Sequence, residues 1–200
     1  YFQPDGPHEN PAELLPQGKI KEARDVQEAA AQQLRQDLVF VGTKLNTIGC
    51  EGLNLDTGGS AGDADFLAAL QAVRDLKKAA PNMPVIMGGS GEFVLGMHGE
   101  VEFNGRQLAG MYPHEQAEAA QSAGAGIYGV AIGTKTTESV AWNIARAVTL
   151  VKAAVAAVKI PVHANVGMGV GGVPLMEAPP IDSVTRASKS LVQIGKADGL

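Results

Sequence analysis

"GLNLDT", Gly52 to Thr57, alternates apolar and polar residues without a break. A period of two marks a strand with two unlike faces. Leu53 and Leu55 share one face, Asn54 and Asp56 the other. The loop "TGGSAGDAD" follows, and then an apolar stripe at helical spacing: Phe66, Leu70, Val73 and Leu76. Asp63 reads as the cap of that helix, Asp65 as a first-turn carboxylate that complements its dipole, and Pro81 as its end. Strand, loop, helix is one βα unit, and the same grammar recurs downstream.

"PVIMGG" (84–89) is the next strand, followed by the loop "GEFVLGMHGE" and by "HGEVEFNGRQLAG" (98–110). The latter alternates around Asn104-Gly105, a dipeptide suited to a type I′ turn, and predicts a small hairpin. "PHEQAEAAQSAG" is a helix and "GIYGVAIG" a strand. Val140, Ile144, Val148, Val151, Val155 and Val158 then form a helical stripe, and "IPVHANVGM" is a further strand. Asp182 reads as the cap of a last helix that ends near Gly195. Strands therefore begin near 52, 84, 126, 160 and 198, each interval about one βα unit. Such alternation with right-handed crossovers means a parallel sheet, either doubly wound and open or closed into a (β/α)8 TIM barrel.

Ahead of the first strand, residues 1–18 are rich in Pro, Gly and Asn and read as an irregular loop. One long amphipathic helix follows, with its stripe running from Ile20 through Ala23, Val26, Ala30, Leu34, Leu38, Val41 and Leu45 to Ile48. Residues 19–200 are thus successive βα units. The whole chain reads as part of one α/β domain, about half of a (β/α)8 barrel, truncated at both ends: Tyr1 follows no initiator Met, and "ADGL" opens a strand that does not continue.

Composition narrows the function classes. The chain has 16 basic and 21 acidic residues, a net charge of -5, which offers no footprint for nucleic acid. No apolar run has the length to span a membrane, and no signal-peptide pattern opens the chain. The one cysteine, Cys50, excludes an internal disulfide framework and points to a reducing cytoplasm; beside Gly49 it reads as a helix-end packing residue.

The residue types that could carry chemistry cluster at strand ends. In "PVHANVG", His163 and Asn165 share a face, as Asn54 and Asp56 do, and in a barrel these polar faces line the mouth. Glu92, in the glycine-rich loop after "PVIMGG", can act as general acid or base or bind an amine; its competing reading is a surface carboxylate on a flexible loop. His163 has a core-histidine alternative. His8, His98, His114 and His163 match no compact zinc motif, and no metal site is expected. Gly167, Gly169 and Gly172 satisfy GxGxxG by letter, but "LMEAPP" stands where the helix should begin, which weakens a dinucleotide reading. Gly169, Gly171 and Gly172 fit better as a loop that lies close against a large planar ligand. Trp142 lies off its helix stripe and is expected under a neighbouring segment.

Several stretches together resemble one family: "PDGPHENP" (4–11), "LDTGGSAGDADF" (55–66), "GEFVLGMHGE" (91–100), "LAGMYPHEQ" (108–116), "WNIARAVTLVKAA" (142–154) and "GMGVGGVPLMEAPPIDSVTRASKSLVQIGKADGL" (167–200). They resemble the dimethylamine:corrinoid methyltransferases, over essentially the whole chain, and the likeness begins directly after Tyr1–Gln3, which makes those residues native. The resemblance implies a (β/α)8 barrel, longer at both ends. It implies methyl transfer from dimethylamine to a Co(I) corrinoid carried by a cognate corrinoid protein, with no cofactor bound directly by this chain. It implies a homo-oligomer at full length. In that family a pyrrolysine, encoded by UAG, follows the segment that ends here as "ADGL". A stop read at that codon is the expected reason for the end at Leu200; the alternative is a fragment whose end is coincidental. The isolated chain is then expected to be inactive.

The likeness does not assign roles to Glu92, Asp56 and His163, the catalytic candidates from strand-end geometry, nor to Asn54, Asn165, Gly169, Gly171 and Gly172 as substrate- or corrinoid-facing positions. "AIGTKTTESV" (131–140) departs from the family pattern, which leaves that part of the pocket open. Two other classes stay in view. An aldolase- or lyase-type barrel would use the same residues as acid and base. A non-catalytic remnant would only bind the corrinoid protein.

Overall fold

The computed structural model describes residues 1–132, 141–166, 173 and 176–200. Its helices are α1 (Pro11–Leu14), α2 (Ile20–Thr47), α3 (Asp63–Ala79), α4 (Pro113–Ala123), α5 (Ala141–Ala157) and α6 (Ile181–Gln193). Its strands are β1 (Leu53–Gly58), β2 (Val85–Gly89), β3 (Glu102–Phe103), β4 (Arg106–Gln107), β5 (Ile127–Val130) and β6 (Val162–Ala164). Strands β1, β2, β5 and β6 form one parallel sheet in that spatial order. The order never reverses, so each right-handed crossover steps to the next position in the same direction and lays its helix on the same face. A doubly wound sheet reverses at its switch point; among the described strands there is no reversal. The arrangement is compatible with part of an α/β barrel.

The strand alternation read from the sequence decides which side chains lie under the helices. Leu55, Met87, Tyr128, Val130, Val162 and Ala164 are buried in one continuous core with α3, α4 and α5. Helix α3 contributes Phe66, Leu70, Val73 and Leu76, all fully buried, as the stripe predicts. Each such side chain contributes roughly 1.5–3 kcal/mol. Helix α2 crosses α3 at close range because Gly42 has no side chain; a Cβ there would lie 2.5 Å from Leu76 Cδ2. Arg35 on α2 fixes the crossing by donating to Asp75 from Nε at 2.8 Å and from Nη2 at 2.5 Å.

Several local expectations need correction. Residues 1–18 are ordered by α1, by a 3-10 turn at Leu15–Gln17 and by a bridge between Phe2 and His8. The stripe of α2 is only partly covered: Ala23 and Ala30 are buried, but Ile20, Val41 and Ile48 are exposed, because α1 and α3 cover different stretches of a helix this long. On α5 the buried line runs through Ala147, Val148, Val151 and Ala154, with Ile144, Val155 and Val158 half-buried beside it; Val140 lies outside the described residues. Small alanines take the centre because α4 packs closely there. Asp182 is not a cap: Pro180 holds that position, and Asp182, in the first turn, pairs with Arg186 four residues on.

The hairpin follows its prediction. Glu102 pairs with Gln107 and Phe103 with Arg106, and Asn104 and Gly105 take φ of 53° and 75°. Both central residues of a type I′ turn need positive φ. At the far edge, Asp198 and Gly199 run parallel to β6: Asp198 N donates to Val162 O at 2.8 Å, and Ala164 N donates to Gly199 O at 3.2 Å.

Candidate functional site

The sheet face away from the helices carries the polar set. Asn54 and Asp56 are exposed and His163 is half-buried. The expected strict alternation in β1 holds only up to Leu55. Leu55 pairs with Met87 and Gly58 with Gly89, so Asp56 and Thr57 together stand opposite Gly88. The register shifts by one residue here, as at a β-bulge, a device that re-aims a side chain and recurs beside active sites.

Across this level of the sheet runs one row: Asp56 at the bulge, Gly88, Gly129, His163 and Gly199. Two glycines leave room here for neighbouring side chains that fold over them. A Cβ on Gly88 would lie 2.8 Å from Asp56 Oδ1, and a Cβ on Gly129 would lie 2.7 Å from His163 Nε2. The carboxylate therefore leans across β2 and the imidazole across β5, toward each other. Gly199 has the same orientation as His163, since its Cβ would sit 3.6 Å from that of His163. The row beneath holds Ile86 and Ile127, both half-buried.

The loop after β2, which carries Glu92, is tied at three points. Asp63 is fully buried at the start of α3, where Gly62 is the cap residue. Its carboxylate accepts from His98 N at 3.0 Å and from Gly99 N at 2.7 Å, and meets His98 Nδ1 at 3.2 Å. The imidazole of His98 reaches α2 with its other nitrogen, 3.3 Å from the Arg24 carbonyl oxygen and 3.5 Å from Glu28 Oε1. Asp63 is thus a loop anchor, and the cap reading is corrected. Asp65 reaches back to accept from Ala61 N at 3.2 Å.

The second tie is Gln116, buried on α4, whose Nε2 donates to Met111 O at 2.8 Å and Gly91 O at 3.3 Å. Tyr128 Oη donates to Gln116 Oε1 at 2.8 Å. Full burial of that phenol pushes its pKa above the ordinary value, so it stays a neutral donor. The third tie is Glu92 itself. Its side chain, 11% exposed, accepts from Arg146 Nη2 on α5. The arginine also lies over the Trp142 ring, 5.3 Å from its centroid. Glu92 is a paired charge on a braced loop, not a solvated carboxylate on a flexible one.

Asp56 and His163 are brought onto one row; Asn54 lies one level below Asp56 and Asn165 just past the end of β6, both exposed. Gly169, Gly171 and Gly172, with most of the GxGxxG-like loop, lie outside the described residues, as does most of 131–140. Trp142 is 64% exposed rather than covered, and Cys50 is exposed rather than packed. Sequence reasoning missed Asp63, His98, Gln116, Tyr128 and Arg146 as supports. The available signals were Asp63 before an apolar stripe and a glutamine on the helix line that must be buried. Among the described residues no helix is long and apolar enough to cross a membrane.

A parallel sheet with helices on one face, and with carboxylate, imidazole and glycine on the other near the strand C-terminal ends, is the frame of an α/β enzyme acting on a small molecule. Residues 1–200 match the protein family described as Dimethylamine methyltransferase (Dimeth_PyL), and the chain belongs to that family. Its enzyme class is accordingly that of a methyltransferase.

Proposed function

We propose that this chain forms the described part of a closed (β/α)8 barrel that transfers a methyl group from dimethylamine to the Co(I) corrinoid of a cognate corrinoid protein. The observation that carries this reading is the Asp56–Gly88–Gly129–His163 row. In a closed barrel it lies inside, at the strand C-terminal ends where barrel enzymes bind substrate. The corrinoid is the acceptor substrate on its own carrier protein, and the barrel mouth is where that carrier docks.

Asp56 and His163 face the amine in this reading, with Asn54 and Asn165 at the margins. Of the three catalytic candidates, Glu92 is the one whose pairing with Arg146 favours a fixed charge that holds the loop against α5. Binding two reactants in line lowers the barrier mainly through orientation. The pyrrolysine implied by the family likeness supplies an electrophilic imine to which an amine adds. Gly199 shares the face of His163.

The test is single-turnover spectroscopy on the complete protein with its corrinoid protein reduced to Co(I). Dimethylamine should convert the Co(I) spectrum to that of methyl-Co(III) with release of one equivalent of monomethylamine. A Co(I) spectrum unchanged by dimethylamine sinks the proposal.

A further inference from the structure

The row raises a question that methyl transfer alone does not answer: why two adjacent strands carry no side chain between a carboxylate and an imidazole. Gly88 and Gly129 are register partners, and parallel neighbours stand ~4.8 Å apart. Asp56 Oδ1 lies over the first and His163 Nε2 over the second. The two polar atoms therefore face each other across roughly one strand spacing, ~5 Å. One nitrogen that makes two hydrogen bonds of about 2.8–3.0 Å at a tetrahedral angle spans nearly the same gap. The floor beneath is bare backbone with Ile86 and Ile127 next to it, which suits methyl groups.

We propose that this row is a two-point site for a secondary ammonium ion. The Asp56 carboxylate accepts one N–H and neutralises the charge. His163 accepts the other N–H at Nε2. The two methyl groups rest on Gly88 and Gly129 and against the two isoleucines. The site selects by counting N–H bonds as well as by size. A dimethylammonium ion satisfies both acceptors and has no N–H left over. A trimethylammonium ion has one N–H, so it bonds only one of the two acceptors and adds a methyl where the second bond should be. A monomethylammonium ion makes both bonds but keeps a third N–H above an apolar floor, which is costly once water is removed. The inference rests on the methyltransferase reading for its substrate class, and adds the residues that set the degree of methylation.

The test is calorimetric titration of the complete protein, without corrinoid protein, with the chlorides of mono-, di- and trimethylammonium. Dimethylammonium should bind at least tenfold more tightly than trimethylammonium, the scale expected for one charge-assisted hydrogen bond. D56N and H163L should each lose tenfold or more for dimethylammonium. H163Q, which keeps an acceptor, should recover part of that loss. G129A should weaken binding by displacing the imidazole; far-ultraviolet dichroism of each variant confirms the fold. Unchanged dimethylammonium affinity in folded D56N and H163L overturns the site, as does a wild-type preference for trimethylammonium. The methyltransferase reading is scored separately by methyl-Co(III) formation from dimethylamine, so turnover without an effect of these variants removes the site and leaves the reaction.

Discussion

The two faces of the sheet are built from the same strands and obey opposite rules. Toward the helices, Met87, Tyr128, Val130 and Val162 fill space, and each is buried to 2% exposure or less. Toward the other side, Asp56 and His163 alternate with glycines that leave space empty of side chains. One face is selected for volume and the other for clearance. Stability and chemistry are thereby separated by the pleat alone, so that a substitution on one face should leave the property of the other nearly untouched.

The largest effect expected from breaking this contrast is on the covered face. Met87→Ala removes a fully buried side chain between β2 and its helices, and should destabilise the protein by about 2–5 kcal/mol in denaturant titration. Dimethylammonium affinity in the folded fraction should not change. A loss of affinity without a loss of stability would reverse the assignment of the faces.

Next comes the brace between the faces. Asp63→Asn keeps the shape but removes the charge that two backbone amides share. Hydrogen bonds to charged groups contribute about 1.5–3 kcal/mol each, so the variant should lose roughly 2–4 kcal/mol. Limited proteolysis should then cut within 90–101 faster than elsewhere. Tyr128→Phe leaves Gln116 Oε1 without its buried donor, and should cost about 1–2 kcal/mol.

Asn54→Ala, on the polar face, should change stability by no more than about 0.5 kcal/mol. The smallest effect is electrostatic. The hydrogen bond from Arg186, together with its charge, holds the Asp182 carboxyl below the usual carboxylate range. A depressed folded-state pKa contributes stability above the unfolded value and loses it as pH falls through the folded one. The difference in thermal midpoint between the protein and D182N should therefore exist at neutral pH and vanish in acid. Because the pair is exposed, molar salt should also erase it.

The order of elements was legible because it depends on period. The alternation in "GLNLDT", the stripe of Phe66, Leu70, Val73 and Leu76, and the Asn104-Gly105 turn each state a local geometry that packing then keeps. The row of Asp56 and His163 was half legible. Alternation gave each residue its face, but the bulge at Asp56-Thr57 and the register of Gly88 with Gly129 are properties of neighbouring strands that no single stretch contains. The braces were hidden for a related reason. Asp63 lies 35 residues from His98, and Glu92 lies 54 from Arg146. Such pairs are joined by topology, while local patterns offered Asp63 a cap and Glu92 open solvent. Cys50 and Trp142 erred the other way: apolar character suggested cover, but Cys50 lies in the exposed turn past the end of α2 and α5 presents its other side to the core.

Strand order in this sheet equals chain order, and that has a consequence for how the protein is made. A ribosome releases β1, α2 and α3 first, and every later βα unit meets an edge that already exists. Among the described strands of this sheet, none inserts between two that have already paired. Each pairing still joins strands separated by a whole helix, and such non-local parallel pairing is slow, so an edge already in place is what each later unit condenses on. Asp198 and Gly199, hydrogen-bonded along β6, are the last such addition to that edge in chain order.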